Sequence, residues 1–223
     1  MHSFTDSSLR LLKRLLGSRS QSVKSDNGFA AVLDGNSAVA LMEAAVSQAA
    51  GLGASAPNDI AAMTWRTEQC RRQDDEHQSR LTTVAAEGPR GALASAAGLA
   101  LSGVRATAFI SGQEAASLQD LLATMAGRHL PLVVHVENRA TGGASAALGS
   151  GHEALHLSAE SGCFLLCAAN VQEAVDFSLI ARRVAEQTLL PGLVFMDREQ
   201  TAAAPQQVNL PSWQLLEDFL GRP

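Results

Sequence analysis

The sequence predicts an α/β domain built on an open, mainly parallel sheet flanked by helices. Three observations predict it. Short apolar runs alternate along the chain with segments whose apolar residues recur at helical spacing, and that alternation builds βαβ units with right-handed crossovers. The run LPLVVHV at 130–136 lacks the polar alternation of a half-solvated strand, as expected for a parallel strand covered on both faces. Residues 81–113 read as strand, tight Gly-Pro turn, small-residue helix and second strand.

Each element follows from its residues. Phe29 to Leu33 opens the folded part as a short apolar run. A helix over 37–50 carries Val39, Met42, Ala45, Val46 and Ala49 at helical spacing, with Asn36 or Ser37 as its cap. Residues 51–59 read as a small-residue loop containing Pro57, and 68–80 as a solvated, mixed-charge loop or short helix. Val84-Ala85-Ala86 suits a buried strand end, and the Ala/Gly-rich run 91–101 suits a helix packed unusually close to its neighbour. A second strand and a polar loop follow. A helix over 114–126 then presents Leu118, Leu121, Leu122 and Met125 on one face. The strand at 130–136 ends in the charged triplet Glu137-Asn138-Arg139, and residues 141–151 form a Gly/Ala/Ser loop. Residues 164–168 read as another buried strand, 171–187 as a helix with Val175, Leu179, Ile180 and Val184 inward, and 193–196 as the last strand, closing at Asp197. Residues 202–223 read as a linker and tail with a short helix at 212–220.

With 223 residues, 46% of them apolar and 17% charged, the chain can bury a core of its own. The expected division is an extension at 1–27, a domain at 28–201 and a tail. The extension is basic and Ser-rich, with Leu9, Leu12 and Leu16 on one helical face. It suits an organelle-targeting leader, a docking helix or an unstructured arm. A net charge of −5 argues against a general nucleic-acid surface. No apolar run reaches the roughly 18 residues of a membrane span. Three cysteines cannot all pair internally; Cys163 and Cys167 read as buried free thiols, which points to a reducing, cytoplasmic setting.

One acid stands out. Glu87 lies where a strand feeds a helix, the ligand-binding edge of an open α/β sheet. It equally suits an exposed first-turn acid that helps to start the helix. Dinucleotide, P-loop and nucleophile-elbow motifs are absent, as is Cys-x-x-Cys, so no iron–sulfur cluster or metal is expected in this chain. His152 and His156 have helical metal spacing without a well-placed carboxylate, and His135 reads as a satisfied core histidine.

Several segments in one order carry a resemblance: DGNSAVA at 34–40, AEG at 86–88, VRATAFISGQ at 104–113, LPLVVHVENRA at 130–140, SGCFLLCAANVQEAVDFSLIARR at 161–183 and PGLVFMD at 191–197. Together they resemble the N-terminal domain of the pyruvate:ferredoxin (flavodoxin) oxidoreductases, over roughly 29–201. The resemblance implies the fold that binds the pyrimidine of thiamine diphosphate, a cofactor shared with a partner domain. It places Glu87 as the acid that hydrogen-bonds the aminopyrimidine N1′, a role that suits a polarising carboxylate. Arg139 takes the position that binds the 2-oxoacid carboxylate, for which a guanidinium fork is well shaped. The family's Thr-Pro pair is replaced by Ala56-Pro57, leaving Ser55 as the nearby hydroxyl for substrate, and the segments after Arg139 and Asp197 diverge. Neither a diphosphate-binding Gly-Asp-Gly motif nor cluster cysteines occur. The resemblance therefore implies a component that is inactive alone, homo-oligomeric, and dependent on diphosphate-binding and iron–sulfur or flavin redox partners. The alternative is a catalytically degenerate docking domain of a larger redox protein such as a sulfite reductase flavoprotein.

Overall fold

The computed structural model describes residues 28–53, 59–73, 78–139 and 151–222. Its strands are β1 (Phe29–Leu33), β2 (Ala49–Gly53), β3 (Thr82–Ala86), β4 (Ala106–Ser111), β5 (Val133–Asn138), β6 (Phe164–Ala168), β7 (Gly192–Asp197) and β8 (Gln206–Leu210). The helices are α1 (Gly35–Val46), α2 (Ile60–Gln73), α3 (Gly88–Leu101), α4 (Gly112–Ser117), α5 (Gln119–Gly127), α6 (Glu153–Ser158), α7 (Val171–Thr188) and α8 (Trp213–Leu220), with a π-helical turn at Arg198–Ala202. Six strands form the central sheet in the order β3-β2-β4-β5-β7-β6, every neighbouring pair parallel. The α/β fold with a parallel sheet is therefore as the sequence predicts.

Alternate residues of the middle strands serve two separate cores, which is why those strands are apolar throughout. Ala108 and Ile110 of β4, Val134 and Val136 of β5, and Leu193 and Phe195 of β7 pack with Leu93 and Ala96 of α3 and Leu122 and Met125 of α5. Phe109 and Met196 point the other way, into a cluster with Val39 and Ala40 of α1 and Trp65 of α2. Val133 and Val194 meet Ala181 and Ala185 of α7 on that same second face.

The small residues of β2 and α3 have a steric explanation. A Cβ on Gly51 would lie 2.0 Å from the Ala92 carbonyl oxygen, so α3 can rest against β2 only where the strand has no side chain. The close-packed helix expected over 91–101 is thus present.

Several elements differ from the sequence reading. Residues 49–53, expected to end a helix and begin a loop, form β2, because Gly51 admits α3 against the sheet. The stretch from Ile60 to Gln73 is one helix; its polar composition hides Trp65, which is fully buried. The helix expected over 114–126 is divided at Leu118 into α4 and α5, with a Ser111–Glu114 capping box starting the first part. Phe29–Leu33 is not in the main sheet: β1 pairs antiparallel with β8, inside the stretch read as linker. Cys163 is buried, but Cys167 is exposed, because β6 is an edge strand. The extension at 1–27 lies outside the described residues.

Candidate functional site

The C-terminal ends of parallel strands are where an open α/β sheet binds ligands, and a sizeable hollow lies there. It encloses about 300 Å³ and is walled by Phe109 and Ser111 of β4, His135 and Glu137 of β5, Arg139, Met196 of β7, Asn36 of α1 and the Asp59–Ala61 entry to α2. A smaller hollow of about 120 Å³ shares Asp59, Phe109 and Glu114 with it and reaches Gly88 and Pro89 at the start of α3. The two adjoin along the same edge.

Glu137 organises the first hollow. Its Oε2 accepts from Asn36 Nδ2 at 2.9 Å. Its Oε1 accepts from Arg139 Nε at 2.7 Å and from Arg198 Nη1 at 2.9 Å. The charged triplet at the end of β5 was legible in the sequence; these partners were not, since Asn36 and Arg198 come from elements far along the chain. Glu114 is turned away from ligand duty by its capping box, accepting from the Ser111 amide at 2.7 Å. Asp59 caps α2 through the Ala62 amide. Burial pushes the Asp59 carboxyl up against the pull of that amide, and the charges of Glu137 and Glu114 push in the same upward direction.

Beneath the hollow lies a buried ion cluster. Glu43 of α1 accepts from Arg182 of α7 at 2.8 Å, from Ser47 at 2.6 Å, and from His135 Nε2 at 2.9 Å. All four side chains are buried. Burial alone would raise the Glu43 carboxyl, but Arg182 and the hydrogen bonds from His135 and Ser47 outweigh it and hold it at about 2. A carboxylate in that state has no proton to give, so His135 donates through Nε2. Its ring stacks on Phe109 with centroids 5.6 Å apart, and its Nδ1 has no partner. His135, expected to be a satisfied core residue, is satisfied at one nitrogen only.

Glu87 is the N-cap residue of α3, exposed, and its side chain makes no capping hydrogen bond. Helix start is carried instead by Gly88, at φ 66°, and by Pro89. Both readings of Glu87 stay open, since an exposed carboxylate at a helix N-terminus is favoured by the helix dipole even without a capping hydrogen bond. The next residue, Gly88, lines the smaller hollow. β3 and β5 are three strand spacings apart, so Glu87 and Arg139 stand roughly 14 Å apart across the edge. Ser55, with Ala56 and Pro57, lies outside the described residues. Among the described residues no group of three or more His, Cys, Asp and Glu gathers as a metal site, and no helix is long and apolar enough to cross a membrane.

Residues 63–222 match the model of the thiamine diphosphate-binding domain of pyruvate flavodoxin/ferredoxin oxidoreductases. The chain belongs to this family. A probable pyruvate-flavodoxin oxidoreductase of Escherichia coli (strain K12) is 33% identical over 112 residues, covering 50% of this chain and 10% of that protein. The pyruvate synthase subunit PorA of Pyrococcus furiosus is 29% identical over 140 residues, 62% of this chain and 35% of the subunit. In fold, the chain resembles a 2-oxoglutarate:ferredoxin oxidoreductase from Magnetococcus marinus, with a TM-score of 0.69 at 20% identity over 85% of this chain and 32% of that one. The chain spans a minor part of each of these relatives. Along this sheet edge lie the Glu87 carboxylate, which makes no capping bond, the two hollows, and the unpartnered Nδ1 of His135 in the wall of the larger one.

Proposed function

We propose that the chain is the pyrimidine-side domain of a thiamine diphosphate-dependent 2-oxoacid:ferredoxin/flavodoxin oxidoreductase. It works with a diphosphate-binding domain and an iron–sulfur or flavin redox domain supplied outside this chain. The observation that carries the reading is Glu87: exposed, without a capping hydrogen bond, and next in sequence to Gly88, which lines a hollow at the C-terminal edge of the sheet. When bound, the cofactor supplies the carbanion-stabilising chemistry that decarboxylation of a 2-oxoacid needs. Glu87 holds a proton at its carboxyl oxygen against a ring nitrogen of the cofactor, and Arg139 orients the 2-oxoacid carboxylate. Ser55 contributes a hydroxyl to the substrate. An exposed acid with no partner in its own chain suits a site completed by a second domain, and self-association of the chain accords with such a shared site. Three free cysteines fit a cytoplasmic setting.

The test is reconstitution of the full chain with its partner domains, thiamine diphosphate and magnesium, following 2-oxoacid-dependent reduction of ferredoxin or flavodoxin. Glu87→Gln is expected to lower kcat by about 100-fold or more while the assembly stays intact. Equal rates for both proteins would overturn the role. The docking-domain alternative draws on one observation, that Arg139 already holds a carboxylate of its own chain at Glu137. Tight cofactor binding by the reconstituted assembly argues against that alternative.

A further inference from the structure

Arg198 does not itself wall the hollow, but its side chain reaches Glu137, which does. It opens the π-helical turn after β7, where Asp197 caps the turn by accepting from the amides of Glu199 and Gln200 at 2.9 and 2.8 Å. That cap fixes the backbone from which Arg198 reaches Glu137 Oε1, the same oxygen that takes Arg139 Nε. Glu137 is mostly buried, with 17% of its side chain exposed, whereas the two arginines are 43% and 37% exposed.

The charge balance follows. Glu137 and Arg139 alone sum to zero, and a ligand carboxylate approaching Arg139 would meet the Glu137 carboxylate at similar range. With Arg198 on the same oxygen, the three side chains carry one surplus positive charge. Glu114 and Asp59 also wall the hollow, each held by an amide at a helix start, Glu114 by that of Ser111 and Asp59 by that of Ala62, so the positive surplus is local to the Glu137 oxygen. We infer that Arg198 is a positioning residue that neutralises Glu137, so that the charge of Arg139 is left for a single ligand carboxylate. The identity of that ligand as a 2-oxoacid rests on the function proposed above; the charge balance does not.

The experiment is a double-mutant cycle read by binding. The full chain is titrated with pyruvate, following the Arg139 Nε–H resonance by NMR, for wild type, R198Q, R198K, E137Q and E137Q/R198Q. R198Q is expected to weaken pyruvate by about tenfold, the scale of one partly screened charge at this range. R198K keeps the charge and stays within about threefold of wild type. The double variant recovers to the same level, because without Glu137 there is nothing to neutralise. A purely structural role for Arg198 predicts no such recovery. R198Q binding as wild type, a double variant as weak as R198Q, or a wild type that pyruvate does not perturb would each overturn the inference. An intact cycle in a chain whose reconstituted complex oxidises no 2-oxoacid would remove the proposed function and leave the charge balance standing.

Discussion

Glu87 takes its place because the backbone leaves β3 through a residue at φ 66°, a conformation a side chain opposes. Gly88→Ala is therefore expected to cost about 1–2 kcal/mol and to shift the backbone that carries Glu87, lowering turnover of the reconstituted complex at an unchanged fold. Glu43 makes a different demand. It is an ionised acid at 0% exposure, and its stability rests on Arg182 and two hydrogen bonds. Glu43→Gln leaves the Arg182 guanidinium buried without a counter-charge and should destabilise the domain by about 3–5 kcal/mol in urea melts. The same carboxyl sets an acid limit. Its folded pKa of about 2 lies below the ordinary value of 4.5. The stability it contributes, on the order of 3 kcal/mol, is complete above about pH 4.5. It is lost as pH falls from there through about 2. Glu43→Gln should flatten the acid side of a stability–pH profile over that window and leave the neutral side level.

Among the elements, the strands with branched residues were legible and the ones made of small residues were not. Val133, Val134 and Val136 announce β5 by β-propensity and continuous hydrophobicity. Ala49-Ala-Gly-Leu-Gly has neither, because β2 gives up side chains to let α3 approach. Local preference was overridden by a contact forty residues away, which no periodicity records. α2 was obscured for another reason: one buried tryptophan, bonded from Nε1 to Thr83, anchors a helix whose other residues are polar. The site divides in the same way. Glu87 and Arg139 lie at element ends that a sequence pattern marks, whereas Glu137 acquires its meaning from Asn36 and Arg198, which only the sheet order brings together. Gly51→Ala tests the close approach. Its Cβ meets backbone, so α3 must move, and a loss of about 1–3 kcal/mol is expected in thermal or urea unfolding.

At the scale of the whole molecule, two cores on either side of one sheet are joined to a third by β1, β8 and α8. Val208 and Leu216 pack there with Met42 of α1 and Val175 of α7. Arg105 ties the end of α8 to the body, bonding Glu186 and the carbonyls of Leu220 and Gly221. Ending the chain before Gln206 would uncover that third cluster, and calorimetry should show a markedly lower Tm with increased binding of a hydrophobic dye. The pairing of Phe29 with Leu210 has a kinetic side as well. Its two strands come from opposite ends of the described chain, and contacts of that sequence separation bear the largest loop-closure entropy. During synthesis the parallel sheet can assemble while β1 still waits without a partner, an apolar strand with Phe29 and Val32 facing water. That interval lasts until β8 has left the ribosome, and it is the stage at which the chain is most exposed to pairing with the wrong edge.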